Sequence, residues 1–260
     1  MTRPESPHHV SLRQRLREGP PLIGTFSIVA APEIVELIGL AGFDVVVLDM
    51  EHGGYEIGNL GPHILAARAC GIAPVVRVRW NEPALIGAAL DAGAAGVLVP
   101  HVQSAAAAAA VVEAARFPPE GGRGAHPWVR AAGYSATEDW HTRANNDVAV
   151  IAMVEGKEGV AAVDEILATP GLDAVFLGPV DLAASLGLAG QLDHPEVVAA
   201  VRSVVDRAAA VHVAAACFSP TVEGARRWLD AGARLVTVGV DTQILLPALH
   251  ALVDGVRRQG

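Results

Sequence analysis

The chain has 260 residues, 52% of them apolar, and a formal charge of −9. That length and apolar fraction supply one large core, so a single domain spanning 1–260 is expected. The negative balance excludes the basic stripe that nucleic acid or an anionic membrane surface requires, and Arg123, Arg130 and Arg143 are too sparse to make one. Residues 1–10 contain Pro4, Pro7 and His8-His9 but no apolar segment of signal-peptide or membrane length, and read as a flexible tail. Cys70 and Cys217 lie far apart without a partner motif, as reduced thiols of a cytoplasmic protein do.

After a helix predicted over 11–18, apolar runs alternate with amphipathic segments. Strands are predicted over 22–28, 45–48, 73–78, 96–99, 148–154, 174–177, 212–216 and 235–238. The helices that follow them are predicted over 32–40, 59–69, 83–92, 104–116, 159–169, 195–210, 221–231 and 242–256. Several end in Ala-Gly or Cys-Gly before the next strand, at 41–42, 70–71, 92–93 and 231–232, where glycine closes a helix in a left-handed turn. Continuous apolar strands joined by helices form a parallel sheet buried on both faces. Eight such units predict a closed (β/α)8 TIM barrel, with its reactive groups at the C-terminal strand ends. The one long connection, 118–147, carries Trp128 and Trp140 and reads as a functional loop or an oligomer contact.

The residues just beyond the strands therefore carry the chemistry. Strand five ends in Glu155 and strand six in Gly178-Pro179-Val180-Asp181, so two carboxylates converge from neighbouring strands. Buried like charges repel unless a cation lies between them, which suggests a divalent metal held by Glu155 and Asp181. The alternative leaves Glu155 capping the helix behind it and Asp181 in a turn. Strand two runs into Asp49-Met50-Glu51-His52 and strand four into Pro100-His101-Val102-Gln103. In Val75-Val76-Arg77-Val78-Arg79, the period of two puts Arg77 on the face of Val75, toward either the barrel interior or the helix layer. A buried guanidinium there needs an anion: a substrate carboxylate or enolate, or else Asp49 or Glu51.

Taken in order, Leu48-Asp49-Met50-Glu51-His52, Val75-Val76-Arg77, Leu90-Asp91-Ala92-Gly93-Ala94, Val99-Pro100-His101-Val102-Gln103, Arg116-Phe117-Pro118-Pro119 with Gly122-Arg123-Gly124, Val154-Glu155, Gly178-Pro179-Val180-Asp181-Leu182 and Val238-Gly239-Val240-Asp241 resemble the HpcH/HpaI aldolase family. Its members include metal-dependent 4-hydroxy-2-oxo-heptane-1,7-dioate and 2-keto-3-deoxy-sugar-acid aldolases. The resemblance runs from about residue 24 to about residue 254. It implies a barrel, usually hexameric as a trimer of dimers that exchange their last helix, which cleaves 4-hydroxy-2-oxo acids into pyruvate and an aldehyde. Position by position it implies Glu155 and Asp181 as metal ligands, Arg77 as the pyruvate-binding arginine and His52 as the proton-transfer residue. It further implies Gly178, Val180 and Asp181 as the segment receiving the pyruvate carboxylate, and Asp91 as an aspartate reaching the histidine of a neighbouring subunit. Three positions depart from the pattern. Phe26 stands where many members carry tryptophan, Met153 where many carry glutamine, and Phe218 where the aldehyde pocket is lined, which points to a less polar or bulkier acceptor.

Two carboxylates with open water positions suit Mg²⁺, Mn²⁺ or Co²⁺ better than structural Zn²⁺. A Schiff-base route needs a lysine in a desolvated pocket, and the chain holds one lysine, Lys157, at the start of a helix. The rival readings are an acyl-CoA lyase resembling the citrate lyase beta subunit, which needs a basic groove for the CoA phosphates, and a non-catalytic barrel that binds a keto acid.

Overall fold

The computed structural model describes residues 11–257; the expectation of a tail over 1–10 lies outside them. Eight parallel strands close into a barrel in chain order. They are β1 (Leu22–Ser27), β2 (Val45–Asp49), β3 (Ala73–Arg77), β4 (Gly96–Val99), β5 (Ala149–Val154), β6 (Ala174–Leu177), β7 (Ala214–Ser219) and β8 (Leu235–Val240). The helices are α1 (Leu12–Glu18), α2 (Pro32–Leu40), α3 (Leu60–Ala69), α4 (Pro83–Asp91), α5 (Ala105–Ala115), α6 (Trp140–Asp147), α7 (Lys157–Ala161), α8 (Val163–Leu167), α9 (Pro179–Ser185), α10 (Pro195–Ala210), α11 (Val222–Asp230) and α12 (Asp241–Arg257). Among them, no helix is long and apolar enough to cross a membrane.

Strand alternation divides the core in two. Inward residues, among them Phe26, Val47, Val75, Leu98, Ile151, Phe176, Ala216 and Leu235, fill the barrel. Their outward neighbours, among them Val46, Leu48, Val76, Val97, Val150, Val175 and Cys217, pack under the helices. Both faces are thus apolar, which is why the strands read as unbroken apolar runs. β1 and β8 close the barrel with a register shift between Gly24 and Phe26. A side chain at Gly24 would stand 3.0 Å from the Val45 carbonyl oxygen of β2 and 3.3 Å from Thr237 Cγ2 of β8, so both neighbouring strands would have to shift to admit one.

The N-terminal end of the barrel is stoppered by α1, whose Leu12 and Leu16 join the interior cluster. Asp173, fully buried just before β6, ties this end together: it accepts Arg13 Nε at 2.7 Å, Arg17 Nη2 at 3.1 Å, Arg116 Nη2 at 2.6 Å and the Val150 amide at 3.0 Å.

Several elements differ from the sequence reading. β7 starts two residues later than expected and runs to Ser219, because the alanines of 214–216 hide where burial begins and Phe218 belongs to the inner face. The helix expected over 159–169 is two short helices, α7 and α8, broken at Ala162. Residues 179–185 form a helix of their own, and the long 118–147 connection contains a 3-10 segment at Arg130–Ser135 and then α6. Beyond Asp241, every described side chain of α12 is exposed, including Leu246, Leu249, Leu252 and Val256.

Candidate active site

The C-terminal mouth of the barrel opens into a cavity of about 290 Å³ lined by Phe26, Ile28, Asp49, His52, Arg77, Met153, Phe176, Gly178, Val180, Asp181, Phe218 and Val240. A larger cleft of about 510 Å³ lies at the other end, where Arg15, Arg68 and Arg143 line it, but of the expected site residues none is in its wall. Size therefore does not mark the chemistry; the convergence of charged groups at strand ends does.

Arg77, the last residue of β3, points into the barrel. It is 7% exposed, donates from Nε to Asp49 Oδ1 at 2.9 Å and from Nη2 to Asp49 Oδ2 at 2.5 Å, and its Nη1 lies 3.1 Å from Glu51 Oε2. The guanidinium sits over the Phe26 ring, 4.9 Å from its centroid. Burial pulls its pKa down, but hydrogen bonds to Asp49 and the charges of Asp49, Glu51 and Glu155 outweigh that and raise it. The anion that the buried arginine requires is thus present within the protein, as a bidentate Asp49 partner, and its remaining edge faces the cavity and Met153, with Nη1 4.0 Å from Sδ.

Glu155 follows β5 and is 5% exposed. Its Oε1 accepts the His101 amide at 2.7 Å and lies 2.9 Å from His101 Nδ1. Burial raises the Glu155 pKa, the His101 contacts oppose this, and the negative charges of Glu51 and Asp181 add to the rise. Asp181 is exposed at the start of α9, one wall residue away from Val180. Gly178 lies against Glu155: a Cβ built there would stand 3.3 Å from Glu155 Oε2 and 2.8 Å from Met153 Cε, so a side chain would fill the space in front of that oxygen.

These carboxylates fit a divalent cation. Asp49, Glu51, Glu155 and Asp181 outnumber Arg77 as fixed charge at one mouth, and the hard oxygen donors suit Mg²⁺, Mn²⁺ or Co²⁺. Among the described residues no three His, Cys, Asp or Glu side chains form a ready-made cage. Two carboxylates would leave a cation's other positions to water and substrate.

The remaining expected residues divide. His52 lines the cavity with its ring exposed, and its amide donates to Asp49 Oδ1 at 3.2 Å. Phe26 and Phe218 meet edge to face, centroids 5.9 Å apart, as do Phe26 and Phe176. Asp91 ends α4 on the opposite side of the barrel from His52 and pairs with Arg123 Nη2 at 2.6 Å. The sequence reading gave no role to His101. Its ring bridges Glu155 and Glu51, with Nε2 3.2 Å from Glu51 Oε1, and faces Trp80, centroids 5.3 Å apart. Its place after β4, level with Glu155 after β5, was the available signal.

Residues 22–248 match the family described as HpcH/HpaI aldolase/citrate lyase. A 5-keto-4-deoxy-D-glucarate aldolase from Enterobacter sp. (strain 638) is 38% identical over 236 residues, 91% of this chain and 92% of its own. The crystal structure of an HpcH/HpaI aldolase/citrate lyase family protein from Burkholderia cenocepacia J2315 is 39% identical, with a TM-score of 0.90 over 95% of this chain and 98% of that one. The structure of citrate synthase SbnG is 31% identical, with a TM-score of 0.88 over 96% and 99%. A family match over residues 22–248, with relatives 38–39% identical along nearly the whole chain, places the chain in the HpcH/HpaI aldolase/citrate lyase family.

Proposed function

We propose that the chain is a divalent-metal-dependent aldolase that cleaves or forms 4-hydroxy-2-oxo acids, with pyruvate as donor and an aldehyde as acceptor. The observation that carries this reading is the carboxylate surplus around Glu155, beside a cavity whose wall also holds a fixed guanidinium and an exposed histidine. Glu155 and Asp181 would hold Mg²⁺, Mn²⁺ or Co²⁺, which would supply Lewis-acid charge to a bound 2-oxo acid.

The side chains do the rest. Arg77, immobilised by Asp49, holds positive charge beside the keto oxygen, where the electron pair of the breaking C3–C4 bond is delocalised. His52 takes the proton of the C4 hydroxyl and returns one to C3. Gly178 leaves room for substrate beside Glu155, and the backbone at Val180 and Asp181 receives the substrate carboxylate. Phe26, Phe176, Phe218 and Met153 line the cavity with apolar surface, which supports an acceptor aldehyde less hydroxylated than a sugar-acid fragment. Of the lining residues only Arg77 is a fixed cation, and it is paired, which disfavours a CoA ester as substrate.

The exposed apolar side chains of α12 support a homo-oligomer, a hexamer built as a trimer of dimers, in which this helix exchanges between subunits and Asp91 of one subunit serves His52 of another. The free thiols Cys70 and Cys217 support a cytoplasmic setting. Incubating the protein with pyruvate, Mg²⁺ or Mn²⁺ and a panel of aldehydes, and detecting adducts by mass, tests the assignment. Condensation with apolar or short aldehydes supports it; cleavage of a citryl or malyl CoA ester without any aldehyde condensation refutes it.

A further inference from the structure

Glu155 has two carboxylate oxygens, and the protein treats them differently. Oε1 accepts the His101 backbone N–H at 2.7 Å and lies 2.9 Å from His101 Nδ1. Oε2 faces Gly178, and among the described residues it has no protein donor. One residue can aim both an amide and a ring nitrogen at a single oxygen because its backbone turns left-handed, φ 57°. That region is uncommon outside glycine, with histidine among the side chains that enter it most readily. The imidazole is also held on its far side, by Glu51 Oε1 3.2 Å from Nε2, and across its face by Trp80.

We infer that His101 is a positioning residue: it occupies Glu155 Oε1 and leaves Oε2, beside Gly178, as the oxygen presented to the divalent cation. The inference rests on the reading of Glu155 as a cation ligand and adds to it which oxygen binds and what orients it. His101 is not among the residues that line the cavity, so it acts through Glu155. Groups that orient a metal ligand typically change metal affinity about 10-fold to 100-fold when removed.

The test is Mn²⁺ binding to the purified full-length protein without substrate, followed by electron paramagnetic resonance. His101→Gly keeps the backbone donor and suits the left-handed φ, so it removes the ring alone. The expected result is a Mn²⁺ dissociation constant raised about 10-fold, with a thermal midpoint no lower than wild type. His101→Asn, which tolerates the same backbone and retains a side-chain donor, recovers part of the affinity. Wild-type Mn²⁺ affinity in His101→Gly overturns the inference. Glu155→Gln separates the two levels: if that variant binds Mn²⁺ as tightly as wild type, the ligand assignment of Glu155 itself falls, whatever the His101 variants do.

Discussion

At the scale of single residues, the proposed function assigns proton transfer to one group at the mouth and fixed charge to another. His52 has its ring exposed to the cavity, whereas Arg77 is locked by Asp49 and packed on Phe26. His52→Ala is expected to lower turnover by about 10² to 10⁴-fold while pyruvate affinity stays within a few-fold of wild type. Arg77→Ala is expected to damage both, and also to destabilise the fold by about 3–5 kcal/mol because it strands the buried Asp49 carboxylate. Steady-state kinetics, pyruvate titration and urea midpoints for the two variants check this; equal losses of turnover and affinity in both would remove the division of labour. The roles differ in how visible they are in sequence. Arg77 was visible as a polar residue sharing the face of Val75, with Asp49 and Glu51 as candidate anions, but whether that face was the barrel interior was not. Alternation groups residues by side without saying which side is inner, and the structure turns this one inward, with both acids on the guanidinium. His101 was missed because its bridge between Glu51 and Glu155 depends on a left-handed backbone that no pattern of residue types discloses.

At the scale of elements, two features dominate. Asp173 joins α1, β5 and the start of β6, and neutralises the fully buried Arg116, whose pKa is lowered by burial against the opposing charge of Asp173. Asp173→Ala leaves that guanidinium without its carboxylate and is expected to cost about 3–5 kcal/mol, read as a lower urea midpoint. A midpoint within error of wild type would show that the network adds nothing. α12 is the other case. Asp241 roots it, accepting Ser27 Oγ at 2.9 Å and the amides of Ile28 and Val29 at 2.9 and 3.0 Å, while Leu249 is 56% and Leu252 70% exposed. An apolar helix face of this kind marks an interaction surface. If the proposed oligomer forms through this face, Leu249→Glu with Leu252→Glu is expected to shift sedimentation to a smaller species without unfolding the barrel; an unchanged sedimentation coefficient would contradict that assembly role for α12. The eight strand and helix units were legible because burial on both faces makes strands uniformly apolar and glycine marks several of the helix ends. β7 was blurred by its alanines. α6 was hidden because Trp-His-Thr-Arg-Ala-Asn-Asn-Asp has few apolar residues to show a helical period, and it is held instead by Asn145 and Trp140 contacts with Phe117.

At the scale of the whole molecule, the barrel separates stability from chemistry. Its N-terminal end is closed by α1 and the Asp173 network, and its C-terminal end gathers Asp49, Glu51, Arg77, His101, Glu155 and Asp181 from neighbouring strand ends. Four carboxylates against one guanidinium make that mouth a better site for a cation than for an anion. The single lysine, Lys157, opens α7 with its side chain 62% exposed, which leaves no desolvated lysine amine for a Schiff base. The central claim is therefore that carbon–carbon cleavage runs through a divalent cation and not through a covalent imine. The most direct measurement treats the active protein with borohydride in the presence of pyruvate, and in parallel with EDTA followed by Mg²⁺, Mn²⁺ or Co²⁺. The account predicts no pyruvyl adduct by mass, loss of aldolase activity on chelation and its return with added metal. Activity that survives complete removal of metal, together with borohydride inactivation and a pyruvyl mass on Lys157, would contradict it.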